Sequence, residues 1–466
     1  SQNCNPRIRM VARGRPTMRT GVNGSGDRRG AAGTRTRAHS VHTALWLLAA
    51  FALATGCHPS SAQTWDKVKE DLASRGITPS LVYDGNLLTD GAGGLKRDSI
   101  FQGNLYLQMR IDSEKAFGFP GMKLFFSELV AHGPNPEDGL VGDAQGVNNV
   151  TARPGFRAYE NWVQYNFLDN RWSVLVGQYD LATEFYRSQT ANLFFNSAFG
   201  TGTDLGLTGL EGPSIYPYTA LGGRIAYKPL NNVVFRTAIL DGVPLHRPND
   251  KISPFRSGDG LLIVSEAAWT RRDTPDHADE HPSHAQFRIG RFSGLPPYDD
   301  KFAMGGWHYT AKFDAFNEFD QDGNPLQKRD STGAYMLVDK VLWETHGDPK
   351  KQVAAFLQVG VARQQVDRFG SYYGAGLAAA GLIPGRPKDE IGVAVAIGRN
   401  GYSYMQSQLQ QGIPVNRAET AIEATYLAQI NDWLAIQPDV QYVVRPNTDP
   451  TIKDAFVFQL RAEIGF

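Results

Sequence analysis

The sequence predicts an all-β chain, a transmembrane antiparallel β-barrel, preceded by a short helix and a removable signal peptide. Three observations carry this expectation. Apolar and polar residues alternate over stretches long enough to cross a membrane. After the leader, no apolar run reaches the length of a spanning helix. The chain then closes on an amphipathic strand whose last residue is Phe466. Composition agrees: 49 Gly, 25 Phe, 18 Tyr and 8 Trp suit closely spaced strands with rings at a membrane interface.

The leader comes first. Residues 1–43 hold nine arginines (Arg7, Arg9, Arg13, Arg15, Arg19, Arg28, Arg29, Arg35, Arg37), no Lys and one acid, Asp27. An apolar run, Ala44–Ala54, follows, and then the small residues Ser60-Ser61-Ala62. This is the order of a secretory signal, with cleavage expected after Ala62 and residues 1–62 removed. Met10 and Met18 are both candidate starts within it. Arg28-Arg29 stands too far from the apolar run to favour twin-arginine export. The competing reading is lipoprotein processing at Cys57, against which Ala54 stands where Leu is favoured.

Removing a leader of charge +8 from a chain of net charge 0 leaves −8, which argues against a nucleic-acid partner. Cys4 and Cys57 are the only cysteines, so the chain after Ala62 has no disulfide, thiol nucleophile or thiolate metal site. With no spanning helix, an exported chain of this kind is either soluble or a barrel, because only helices and closed barrels satisfy their backbone in lipid.

Residues 63–76 are expected to form the short amphipathic helix. Thr64 is its cap, Trp65, Val68 and Leu72 form one face, and Gly76 is its stop. The barrel is expected over 77–466. Its clearest strand puts Phe101, Gly103, Leu105, Leu107, Met109 and Ile111 on one face and Gln102, Asn104, Tyr106, Gln108 and Arg110 on the other. The pattern recurs where Ala355, Leu357, Val359 and Val361 oppose Gln358 and Gly360, and where Ile436, Val440 and Tyr442 oppose Gln437, Asp439 and Gln441. It closes with Phe456, Phe458, Leu460, Ala462 and Ile464 opposing Gln459, Arg461 and Glu463. One alternating strand also fits a soluble sandwich; recurrence at about 9–11 residues is what fits a membrane barrel. A dry core would not tolerate so many polar groups, whereas a wet lumen would. Gly121–Val130 and Lys301–Lys312 do not resolve into two clean faces. Gly133–Gly155, Pro244–Gly260, Arg272–His284 and Asp314–Gly333 read as long external loops, and Leu168–Arg171 and Asn231-Asn232 as short periplasmic turns.

Several segments resemble the carbohydrate-selective porin family. They are Glu184–Gly200, Gly305-Gly-Trp-His-Tyr309, Gly374–Asp389, Glu423 through Trp433 to Tyr442, Arg445-Pro446 and the closing Phe466. In order and spacing they cover most of 76–466. The resemblance implies about sixteen strands, a lumen narrowed by an inward loop, and diffusion of sugars, mono- and oligosaccharides. It also implies contact with outer-membrane lipid and lipopolysaccharide, and delivery to the barrel-assembly machinery through the C-terminal strand. The Arg-rich leader departs from the family.

A sugar offers hydroxyls and apolar ring faces, so a selective pore needs polar and charged groups beside aromatic ones. The wall candidates are Gln108, Arg110, Glu160, Gln164, Arg224, Arg236, Glu266, Asp439, Gln441 and Arg461. In the segment resembling the family's inward loop they are Arg187, Phe194, Phe195 and Asn196. For each, the alternative is a residue locked in a salt-bridged network that never touches solute. No cofactor is expected. His277, His281 and His284 have helical metal spacing but follow Pro275, which favours a solvated loop. Glu318, Asp320, Asp322 and Gly323 open like a calcium loop, yet its twelfth position is Arg329 where Glu is needed. G-x-S-x-G, H-E-x-x-H and phosphate-loop motifs are all lacking, so an outer-membrane hydrolase, like a dry structural barrel or a receptor, is the minor alternative.

Overall fold

The computed structural model describes residues 59–245, 254–273, 297–328 and 331–465, with side chains from 67 onward. The chain divides into two units, Ser1–Val68 and Lys69–Phe466. The leader to residue 58, the three histidines, Arg329 and Phe466 lie outside the described residues.

The N-terminal helix runs Pro59–Ser74. It starts before Thr64, which therefore lies inside the helix instead of capping it. Pro59 accounts for the earlier start, because its fixed φ and missing N–H suit a first turn. Gly76 ends the helix at φ 79°, where a Cβ would come within 2.6 Å of the Asp112 carbonyl oxygen.

The strands are β1 Ile77–Gly94, β2 Ser99–Asp112, β3 Met122–His132, β4 Gly155–Phe167, β5 Trp172–Tyr179, β6 Ala220–Leu230, β7 Val233–Asp241, β8 Leu261–Thr270 and β9 Lys301–Tyr309. After the hairpin β10 Phe313–Phe319 and β11 Pro325–Lys328 come β12 Thr332–Thr345, β13 Asp348–Ala362, β14 Phe369–Ala380, β15 Glu390–Asn400, β16 Ala418–Gln429, β17 Leu434–Val444 and β18 Lys453–Gly465. Sixteen strands close one antiparallel barrel, and β10 and β11 stand apart as a two-stranded sheet. Closure is made by β1 and β18, from Val82 opposite Gly465 to Gly94 opposite Lys453. Every barrel strand thus has two neighbours and no barrel edge is left open to lipid.

The faces are inverted relative to a soluble protein. Leu107, Val176, Phe235, Ile422 and Leu460 lie outward and exposed, while Gln358, Glu423 and Gln441 lie inward and buried. The outer rings gather near the short turns: Tyr165, Phe167, Trp172 and Tyr227 form a stacked ladder with centroids 5.8, 6.4 and 4.5 Å apart. A belt of this kind marks a membrane interface.

Three readings change. The described ends of the β8–β9 connection, 271–273 and 297–300, lie at the end of the short turns, not among the long loops. The Thr270 N–H donates to the Asn232 carbonyl (3.0 Å), which seats the end of β8 beside the Asn231-Asn232 turn. The reason is parity: one antiparallel strand, β8, separates this connection from the loop 242–260, so the two must lie at opposite ends. Asp314–Gly333 is not all loop, since it holds the β10–β11 hairpin, in which the Asp320 carboxylate accepts the N–H groups of Asp322 (2.9 Å) and Asn324 (2.8 Å). The unresolved stretches Gly121–Val130 and Lys301–Lys312 become β3 and β9. Their inward faces carry Phe125, Leu129, Ala303, Trp307 and Tyr309, all buried, so both faces are apolar and the alternation is hidden.

Candidate functional site

The alternation that turns apolar side chains outward collects the polar ones inside the barrel. Two segments from the long-loop end fold in among them. Residues 180–219, between β5 and β6, cross the interior, and residues 133–154, between β3 and β4, lie against them. The Asn149 N–H donates to the Phe195 carbonyl (2.8 Å) and the Ser197 N–H to the Gly146 carbonyl (2.7 Å).

The wall grips both segments with acids and amides. Asp339 on β12 accepts from the Ser188 hydroxyl (2.6 Å) and the N–H groups of Gln189 (3.2 Å) and Thr190 (3.1 Å). Glu423 on β16 accepts the N–H groups of Phe195 and Asn196. Glu419 accepts those of Ala144 (2.8 Å) and Gln145 (2.9 Å). Glutamines act on the carbonyls: Gln437 donates to Leu193 (2.8 Å), Gln358 to Phe199 (2.8 Å) and Gln459 to Val147 (2.7 Å). Bonds to carboxylates are the stronger class, so the acids fix where the loops sit.

The sequence candidates fall into three groups. In the first, Arg224 on β6 forks onto Glu184 through Nε (2.9 Å) and Nη2 (2.8 Å), and also donates to Ser173 (2.7 Å) and Gln164 (3.0 Å). Glu160 joins it at the loop's base, accepting the Asp180 N–H (3.3 Å). In the second, Arg236 meets Glu266 (3.3 Å), which also accepts the Tyr186 N–H (3.0 Å) and the Tyr335 hydroxyl (2.9 Å). In the third, Gln441 accepts from Asn196 (3.3 Å) and donates to Asp439 (3.1 Å) and to the Val147 carbonyl (2.8 Å). There too the Arg461 guanidinium lies 3.7 Å from the Phe195 ring centroid and donates to Asn148 and Asn149, both at 2.9 Å. Phe194 packs instead on Phe199 (5.2 Å) and Phe356 (5.8 Å). Gln108 donates to Ser127 (3.3 Å).

Residues 96–466 match the model of the carbohydrate-selective porin, OprB family. The chain belongs to that family. It is 22% identical to Porin B of Pseudomonas aeruginosa over 93% of this chain and 99% of that one. Its fold matches the high-pH structure of Pseudomonas putida OprB with a TM-score of 0.74, at 19% identity over 86% of this chain and 97% of that one. The low-pH structure of the same protein matches with a TM-score of 0.52, at 15% identity over 86% and 96%. The chain is an outer-membrane sugar porin.

In this porin, two sequence candidates differ from the rest. Arg110 and Arg187 are half-buried, whereas the other twelve are buried. Arg110 lies over the Phe125 ring (5.8 Å), and Arg187 donates to the Thr183 carbonyl (3.0 Å). Beside Arg187, Gln189 is exposed on the inward loop. Sequence reasoning missed Gln189, Glu184, Asp339 and Glu423. Glu184 and Gln189 stood inside a quoted segment without a strand period to assign them. Asp339 was hidden because its face-mates Tyr335, Leu337 and Val341 are apolar. Glu423 could have been found, since it opposes Gln441 across the β16–β17 pair.

Proposed function

We propose that sugars pass this porin through the space beside the inward loop, between Arg187 and Gln189 on the loop and Arg110 on the wall. The half-exposure of these arginines carries the reading, in an interior where the other candidates are buried. Guanidinium groups there exchange water for sugar hydroxyls, and the contact must be weak enough for release. The mixed charge of the surroundings favours neutral polar solutes over free ions. Passage is diffusion, with no bond made or broken.

In the same reading, residues 1–62 are a signal peptide, 63–76 the periplasmic start of the mature chain and 77–466 the barrel. The short turns face the periplasm. The strand ending at Phe466 is the mark read by the assembly machinery, and lipopolysaccharide covers the outer leaflet. Liposome swelling with a panel of mono- and disaccharides tests the passage. Swelling rates that rank by sugar size and fall when Arg187 is enlarged to Trp support it; rates indifferent to that change remove Arg187 from the path.

A further inference from the structure

The interior is filled from both ends. At the end of the short turns, the β8–β9 connection returns to the wall through residues 297–300. Tyr298 there is fully buried. Its N–H donates to the side chain of Gln352 on β13 (3.0 Å), and its hydroxyl donates to Glu390 on β15. Since β9 begins at Lys301, this short piece reaches from the foot of β9 past β12 to β15. Ala380 on β14 lies between the two anchors, opposite Gln352 on one side and Glu390 on the other, and is 0% exposed.

The segment is fixed at the rim. Arg271 pairs with Asp299 (3.3 Å) and Glu344 (3.1 Å), Arg272 pairs with the same two acids (3.2 and 3.3 Å), and Lys340 pairs with Asp300 (2.6 Å). Arg272 also donates to the Tyr298 carbonyl (2.9 Å). Partly exposed pairs are individually weak, and a network converging on four residues is what gives them effect. Two residues above Glu390 on the same face, Gly392 meets the inward loop: a Cβ there would stand 2.7 Å from the Phe194 ring and 2.9 Å from Leu193. Lys301 donates to the Arg187 carbonyl (2.7 Å), tying the foot of β9 to that loop. Tyr298 therefore stands just beneath the inward loop.

We propose that Tyr298 is a second narrowing element of this porin, a floor under the inward loop that closes the β12–β15 sector at the end of the short turns. The opposite wall stays available for exit. There Lys123 and Asp112 keep side-chain exposures of 22% and 25%, against 0% for Gln352, Ala380 and Glu390. The exit route rests on the passage beside Arg110 proposed above; the floor itself does not.

Because natural cysteines occur only at 4 and 57, one introduced thiol reports on one site. Ala380→Cys is treated in the purified porin with a small charged methanethiosulfonate reagent on both sides, with Lys123→Cys as the open reference. The thiol at 380 is expected to react at least about tenfold more slowly than that at 123, as befits a site reached only by local opening. Adding Tyr298→Ala should bring the two rates together and raise single-channel conductance. Tyr298→Phe, which keeps the ring, should leave 380 slow. If Tyr298→Ala does not give a heat-modifiable barrel, Tyr298→Val takes its place with the same expectation. Equal rates at 380 and 123 in the native background, or no acceleration on truncating Tyr298, would overturn the floor. Neither result depends on whether Arg110 and Arg187 line the path, which their own conductance test decides.

Discussion

On β18, Phe458 and Leu460 face out and are 48% and 45% exposed, whereas Gln459 and Arg461, alternating with them, face in and are 4% and 5% exposed. The two faces of one strand answer to different rules. The outer face is mainly apolar, and partnered polar groups such as Tyr83 with His132 (3.0 Å) and Thr237 with Ser265 (2.9 Å) are few on it among the described residues. The inner face is polar but not free, because its side chains are spent on the backbone of two inward segments. Polarity inside this barrel is first a means of holding the inward segments, and Arg110 and Arg187 stand out as half-buried where the other sequence candidates are buried.

The outer face can be broken most severely. Leu460→Arg places a charge against lipid, at about 2–4 kcal/mol near the midplane. Heat-modifiable folding and urea midpoints should both fall. Gln108→Ala, on the inner face beside Ser127, should cost far less. Equal damage from the two would mean that the faces are assigned the wrong way round. Gln459 would be a poor comparator, because it holds the Val147 carbonyl and bonds Asn86 and Asn148.

A middle-sized effect is expected from the wall acids. Asp339→Ala leaves two loop N–H groups and the Ser188 hydroxyl without their acceptor, at roughly 1–3 kcal/mol for a buried donor left unmade. The loop should loosen while the barrel stays closed. The expected signature is a noisier, larger conductance with heat-modifiability retained; a quiet channel of native conductance would show that Asp339 is not a needed anchor.

Smaller still is the effect of the two arginines on conduction. Arg110→Ala with Arg187→Ala leaves the wall acids that hold the loops in place, so heat-modifiable assembly should be retained. Small-ion conductance should rise and discrimination among sugars in liposome swelling should fall. If both stay unchanged, the passage lies elsewhere along the wall.

How much of this was legible in the sequence follows from the same contrast. The outward alternation of β2, β13, β17 and β18 could be read directly, because lipid imposes one chemistry on every second residue. Strands β3 and β9 were obscure, since Phe125, Trp307 and Tyr309 face an interior that loops have made locally apolar. Arg224, Glu266 and Asp439 could be placed on the inner wall, but not their occupation: whether a polar residue meets sugar or a loop N–H depends on contacts across the barrel, such as Ser188 with Asp339, 151 positions apart. The placement of 271–300 failed for a simpler reason. That segment's length and turn-rich composition resemble those of the long loops, and only the reversal of direction along β8, Leu261–Thr270, assigns it to the opposite end.

The finest test of the inner face is its pH dependence. Asp204 lies in the inward loop, where burial raises its carboxyl from 3.8 to about 7, partly offset by the Tyr186 hydroxyl donating at 2.9 Å. Its carboxylate fills the space over Gly360, where a Cβ would come within 2.2 Å of it. Tyr372 also lies beside it, and a phenol ordinarily keeps its proton over the neutral range, so Asp204 is the group that changes charge there. An acid whose value is raised on folding favours the neutral form. Loop docking is therefore strongest below the ordinary carboxyl value and weakens as pH rises through about 7. Asp180, raised to about 6 by burial, acts in the same direction at lower pH. Open-channel noise should increase from about pH 5 to about pH 8 as the loop is released. In Asp204→Asn, which keeps an acceptor for Tyr186 but cannot ionise, the step near 7 should vanish and the one near 6 remain. A native step near 7 in that variant would mean that some other group titrates there and that the loop is indifferent to the charge on Asp204.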